Sequence, residues 1–115
     1  MNFASAKSLC RSFPGVTEDT KWGNDLVFSV GARMFAVTSL GDARGMSFKV
    51  ADERFLELTD RPGIIPAPYL ARAKWVYVED AKALGDEEAA QLLRRSYELV
   101  FAKLTKKLQR EIVGT

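Results

Sequence analysis

Arg33, Arg44, Lys49, Arg72 and Lys74 are cations that stand beside aromatic residues, turns or strand ends. Trp22, Tyr69 and Trp75 are the aromatics that could stack or wedge beside them. That mixture suits one kind of chemistry above others. Lysine and arginine neutralise phosphates and release their counterions. Flat aromatic rings stack on exposed bases or wedge into a base step. The candidate nucleic-acid contacts are therefore Arg33, Arg44, Lys49, Tyr69, Arg72 and Lys74. A second basic stripe, Lys103, Lys107 and Arg110, falls at helical spacing near the end of the chain and reads as a solvated face.

Bond-making chemistry is poorly provided for. The 115 residues include no histidine, which removes histidine-assisted nucleophiles, imidazole general bases and His-based metal sites. The one cysteine, Cys10, cannot form an intrachain disulfide or a thiolate metal centre, and its place on an apolar helix face reads as core. No glycine-rich phosphate loop or dinucleotide fingerprint occurs. The expectation is a binding domain, not an enzyme, with no catalytic residues, no metal ligands and no cofactor. No signal-peptide pattern or membrane-length apolar run is present, so the expected location is cytoplasmic.

These side chains need a scaffold, and 115 residues suffice for one domain spanning residues 1–115 with a single core. Apolar spacing predicts a first helix over about Ala4–Ser12, stopped by Pro14-Gly15. Strands follow at Val16–Trp22, Leu26–Val30, Arg33–Leu40 and Met46–Val50. Gly31-Ala32 is read as a type II′ hairpin turn, with glycine in the first central place. Met34, Ala36 and Thr38 are expected to oppose Phe35, Val37 and Ser39 across the third strand. A second helix is expected from Asp52, as cap, to Thr59, with Phe55, Leu56 and Leu58 inward. Pro66 and Pro68 deny the backbone two donors, so 66–74 reads as a surface loop leading to a strand at Trp75–Glu79. A single long helix, from about Asp86 to Ile112, carries an apolar stripe from Ala89 to Ile112. The order predicts an α+β two-layer sandwich, a mainly antiparallel sheet packed by the terminal helices, with the second sheet face open or partly covered.

Several of these segments resemble the MmcQ/YjbR family. They are the helix running into Pro14-Gly15-Val16-Thr17-Glu18, Trp22-Gly23 before the Phe28 strand, and Arg33-Met34-Phe35-Ala36. The proline loop with Tyr69, Lys74-Trp75, and Ser96-Tyr97-Glu98-Leu99-Val100 with Lys103-Leu104 complete the set. The similarity runs from about Ala4 to Lys107. It implies a CyaY-like, frataxin-like fold and DNA binding through a double wing of sheet hairpins, with Arg33 and Arg44 near the wing tips. The chain departs from the family at Lys74, where members often carry histidine before the tryptophan. Iron binding by analogy to frataxin is not supported, because the first helix lacks an acidic ridge.

The expected partner is thus double-stranded DNA, with no membrane contact. The alternative is a protein–protein or small-ligand module in which the open sheet face and the Tyr69/Trp75 region form an apolar interface, a homodimer among the options.

Overall fold

The computed structural model describes residues 1–39 and 45–114. Its elements are α1 (Phe3–Ser12), β1 (Val16–Lys21), β2 (Asp25–Val30), β3 (Arg33–Ser39), β4 (Met46–Lys49), α2 (Asp52–Thr59), β5 (Ile64–Pro66), β6 (Trp75–Val78), α3 (Asp86–Phe101) and α4 (Lys106–Val113). All strand pairs are antiparallel, in the order β1-β2-β3-β4-β6-β5. This is the expected α+β two-layer sandwich, with one more strand. Ile64–Pro66 pairs with β6 and forms the edge, where a residue without an N–H is tolerated.

Register places the core. Phe28, Ala36, Phe48 and Val76 lie side by side across the sheet, as do Leu26, Thr38, Met46, Val78 and Ile64. These rows meet Ala6, Cys10 and Phe13 from the first helix, Leu58 from the second, and Leu92, Leu93, Tyr97 and Val100 from α3. The alternate row, Val27, Val37, Ser47, Tyr77 and Ile65, belongs to the other face. That face is only partly open, since Val27 and Ser29 are buried beside their core-facing neighbours in β2.

Two details of the β2–β3 hairpin differ from expectation. Gly31 and Ala32 both have positive φ, +57° and +65°, so the turn is type I′ and not II′. The register then shifts between Phe28 and Ser29, so that Ser29 faces Met34 while Phe28 faces Ala36. Phe35 is the extra residue of a β-bulge. The bulge breaks the expected alternation, and Phe35 and Ala36 both enter the core. Phe35 there meets Tyr97 edge-on at 5.6 Å between ring centroids, and Phe13 lies 5.0 Å from Tyr97. Tyr97 also donates a 2.6 Å hydrogen bond to the Pro14 carbonyl, tying α3 to the turn after α1.

The helices show three further differences. Asp52 is the first helical residue and Ala51 the cap position, with no side-chain cap bond. Asp52 therefore acts through the helix dipole. Leu56 points outward and is 79% exposed, while Leu58 is buried. The last helix is two. Thr105 accepts from the Leu108 N–H and caps α4, while the Gln109 amide donates to the Phe101 and Leu104 carbonyls at 3.2 and 3.0 Å. These side chains satisfy the end groups that a break exposes.

A charged network ties the second helix to the start of α3. Arg61 grips Glu88 through two nitrogens at 2.7 and 3.0 Å and reaches Glu57 at 2.7 Å, while Arg54 contacts both glutamates. Hydrogen bonds from Arg61, then Arg54, hold both carboxyls below their ordinary 4.5. Depressed carboxyl values stabilise the fold above the unfolded value, and this contribution disappears as pH falls through the folded values. The side chains are about one third to one half exposed, so solvent screening keeps the contribution small. Arg61→Ala is expected to cost about 1–2 kcal/mol in urea unfolding at neutral pH. The difference from wild type should vanish once both glutamates are protonated. An equal cost in strong acid would show that Arg61 acts by packing alone.

Candidate functional site

The segment from Pro66 to Trp75 folds back along the strands and does not run free over the surface. The Ala67 N–H donates to the Trp75 carbonyl and the Trp75 N–H to the Leu70 carbonyl. Lys49, at the end of β4, donates through Nζ to the Ala73 carbonyl. Trp75 is only 4% exposed, whereas Tyr69 is fully exposed. Pro68, Tyr69 and Leu70 thereby form one wall of a groove of about 470 Å³, with Met34, Val37 and Ser47 of the sheet, Trp22 and Asp25 as the remaining lining.

Trp22 and Tyr69 share an unusual geometry. Trp22 is 69% exposed. Both residues have positive φ, +52° and +67°. Positive φ is disfavoured for bulky side chains, and such strain concentrates at functional sites. Neither ring is held by core packing, yet both stand beside the same groove.

Met34 also lines a second depression, of about 320 Å³, with Arg33, Lys49, Ala73, Trp75, Val100 and Lys103. It lies where β3 begins, β4 ends and β6 begins, against the end of α3. Lys49 titrates below its ordinary 10.5, first because of burial and then because of the Lys103 charge, with Lys74 adding to the effect and Asp52 opposing it. The like charges that depress it make this end of the groove a place where an anion is favoured.

The candidate contacts from the sequence are thus partly assembled. Arg33 and Lys49 line one depression, and Tyr69 lines the groove that shares Met34 with it. Lys74 contributes charge near Lys49, but its ammonium sits 5.1 Å over the Phe55 ring. Arg72 is exposed on the 71–73 turn. Arg44 lies outside the described residues. Lys103, Met34 and Asp25 join the site from positions that no spacing in the sequence connects. The Gly31–Ala32 turn is seated against the protein. A Cβ at Gly31 would lie 2.7 Å from the Leu104 methyls, so one side of the turn packs on the segment after α3, while Ala32 and Arg33 are exposed.

Cys10 is fully buried and burial pushes its thiol up to about 12, which leaves no thiolate for nucleophilic work. Among the described residues, no group of three His, Cys, Asp or Glu side chains could hold a metal ion. Among them, too, no helix is long and apolar enough to cross a membrane.

The architecture defines an α+β two-layer sandwich with helices on one face of a six-stranded antiparallel sheet and an aromatic-lipped groove on the other. Within that class, the chain belongs to the YjbR family, which matches residues 11–99. Its structure is similar to that of the Deinococcus radiodurans protein DR2400, described as a DUF419 domain. The two are 32% identical, with a TM-score of 0.83 over 97% of this chain and 88% of that one. A Pseudomonas syringae protein from a structural genomics programme shares the fold, with 22% identity and a TM-score of 0.70 over 87% of this chain and 99% of that one. No protein of curated description matches the chain.

Proposed function

We propose that this protein is a non-enzymatic DNA-binding domain that uses the groove face of its sheet. The observation carrying this reading is the meeting of exposed aromatics and cations on neighbouring depressions. Trp22 and Tyr69 flank the groove, and Arg33, Lys49 and Lys103 surround the depression that shares Met34 with it. Aromatic platforms beside an electrostatic funnel are the usual means of holding nucleic acid without reading every base. The chain's net charge of only +2 makes local clustering, not overall charge, the source of attraction.

Titration of a labelled DNA mixture, single-stranded and duplex, at rising salt tests the reading. Binding is expected near 50 mM salt and should weaken steeply towards 200 mM, because each neutralised phosphate releases counterions. Binding that ignores salt, or no binding at the lower concentration, would remove the reading. The apolar lining by Met34, Val37, Pro68 and Leu70 favours a second one, a protein or small-ligand site. Concentration-dependent sedimentation without DNA binding is the result that would select its homodimer form.

A further inference from the structure

We infer that the groove takes unpaired bases, and that this domain prefers single-stranded nucleic acid to duplex. The inference rests on the DNA-binding reading above and names the form of nucleic acid that the same site accepts. One or two bases lie between Trp22 and Tyr69, and a flanking phosphate lies in the depression formed by Arg33, Lys49 and Lys103.

Three observations point the same way. The first is shape. Reading a duplex requires an element that enters a groove about 12 Å wide, such as a helix or a β-ribbon. Here the aromatics flank a concavity of about 470 Å³. A concave site admits a flat ring that has left its stack, but a paired base offers only its edge.

The second is the separation of charge along the site. The base-sized groove is lined by apolar Met34, Val37, Pro68 and Leu70, with Asp25 and Ser47 as its polar members. The Asp25 carboxylate repels a phosphate and accepts hydrogen bonds from base amino groups. Arg33, Lys49 and Lys103 lie in the neighbouring depression, which Asp25 does not line. A single strand, with bases turned to one side and phosphates to the other, matches this arrangement.

The third is the backbone at the two rings. Tyr69 and Trp22 are held with positive φ while exposed to solvent. Glycine is the residue that such backbone favours. Their bulk therefore opposes local backbone preference, as expected where a ring is kept for contact with a ligand.

The experiment compares one oligonucleotide sequence as a single strand and as a pre-annealed duplex, using wild type, Trp22→Gly and Tyr69→Gly. Glycine relieves the backbone strain at either position, so both variants should melt no lower than wild type. Each should lose roughly tenfold to a hundredfold in affinity for the single strand. Wild type should bind the single strand more tightly than the duplex, with quenching of Trp22 fluorescence. Duplex binding as tight as single-strand binding overturns the inference and leaves the DNA-binding reading standing. Failure of both forms to bind at about 50 mM salt overturns both. Full single-strand affinity in both glycine variants overturns the placement of the bases.

Discussion

Ser96→Ala is expected to lower the stability of the fold by roughly 2–4 kcal/mol, although it removes a single oxygen atom. Ser96 is fully buried in the third helix. Its hydroxyl donates to the Phe35 carbonyl at 2.7 Å and accepts from the Lys49 N–H at 3.0 Å. The β3–β4 register explains why both groups need it. Ala36 faces Phe48 and Val37 faces Ser47, so one further step would set Phe35 opposite Lys49. The bulge at Phe35 displaces that rung, and Ser96 occupies the gap between the strands. Alanine leaves a carbonyl and an amide without partners in the interior, and each such group costs about 1–3 kcal/mol. For a domain of this size, the melting temperature should fall by roughly 10–25 °C. Amide exchange supplies the specific readout, because Lys49 N–H should lose protection before its neighbours in β4 do. A loss under about 0.5 kcal/mol, with Lys49 still protected, would show that the strands close the rung directly and that Ser96 is dispensable.

Ser96 also shows where local sequence reasoning stops. The α+β class, the sheet strands β1 to β4, the first two helices and the β6 strand are all legible, because all but the exposed β1 bury apolar residues at their own period and the Gly23-Asn24-Asp25 turn marks where β1 ends. The bulge is not legible. Phe35-Ala36 reads as ordinary alternation until a hydroxyl from α3, far along the chain, stabilises the extra residue. The break between α3 and α4 is similar. The apolar stripe from Val100 through Leu104 to Leu108 continues across it, so periodicity reports no interruption. The signals that end the helix are the Thr105 cap and the Gln109 amide, which act on backbone groups and leave no mark on the pattern of burial.

The candidate site divides along the same line. Arg33, Lys49 and Tyr69 could be selected by residue type and by their places beside turns or strand ends. Lys103 could not be joined to them, because only the packing of α3 against the sheet brings it to Lys49. The importance of Trp22 and Tyr69 comes from positive φ, which neither Trp-Gly nor Pro-Tyr announces, since aromatic residues seldom adopt it. A gain in charge density at one end of a groove is therefore a property of the assembled fold.

That charge density yields the second large effect. Replacing Arg33, Lys49 and Lys103 together by glutamine is expected to reduce DNA affinity on the order of a hundredfold at low salt. For a single strand, the slope of log affinity against log salt should shrink by about 0.7, as the one phosphate contact in the depression is lost. The fold should survive. Lys49 donates to Ala73, an exposed residue whose carbonyl can bond water instead. A lysine whose folded pKa is lowered opposes folding while it is charged in both states, and this penalty fades as pH rises through the folded value towards 10.5. Glutamine removes the repulsion among Lys49, Lys103 and Lys74, so thermal stability at neutral pH should hold or rise slightly. The matched comparison neutralises Lys106, Lys107 and Arg110 on α4, which removes the same number of charges from exposed positions that line neither depression. If both triple variants lose affinity and slope equally, net charge alone drives binding and the Arg33–Lys49–Lys103 depression is not where the phosphate sits.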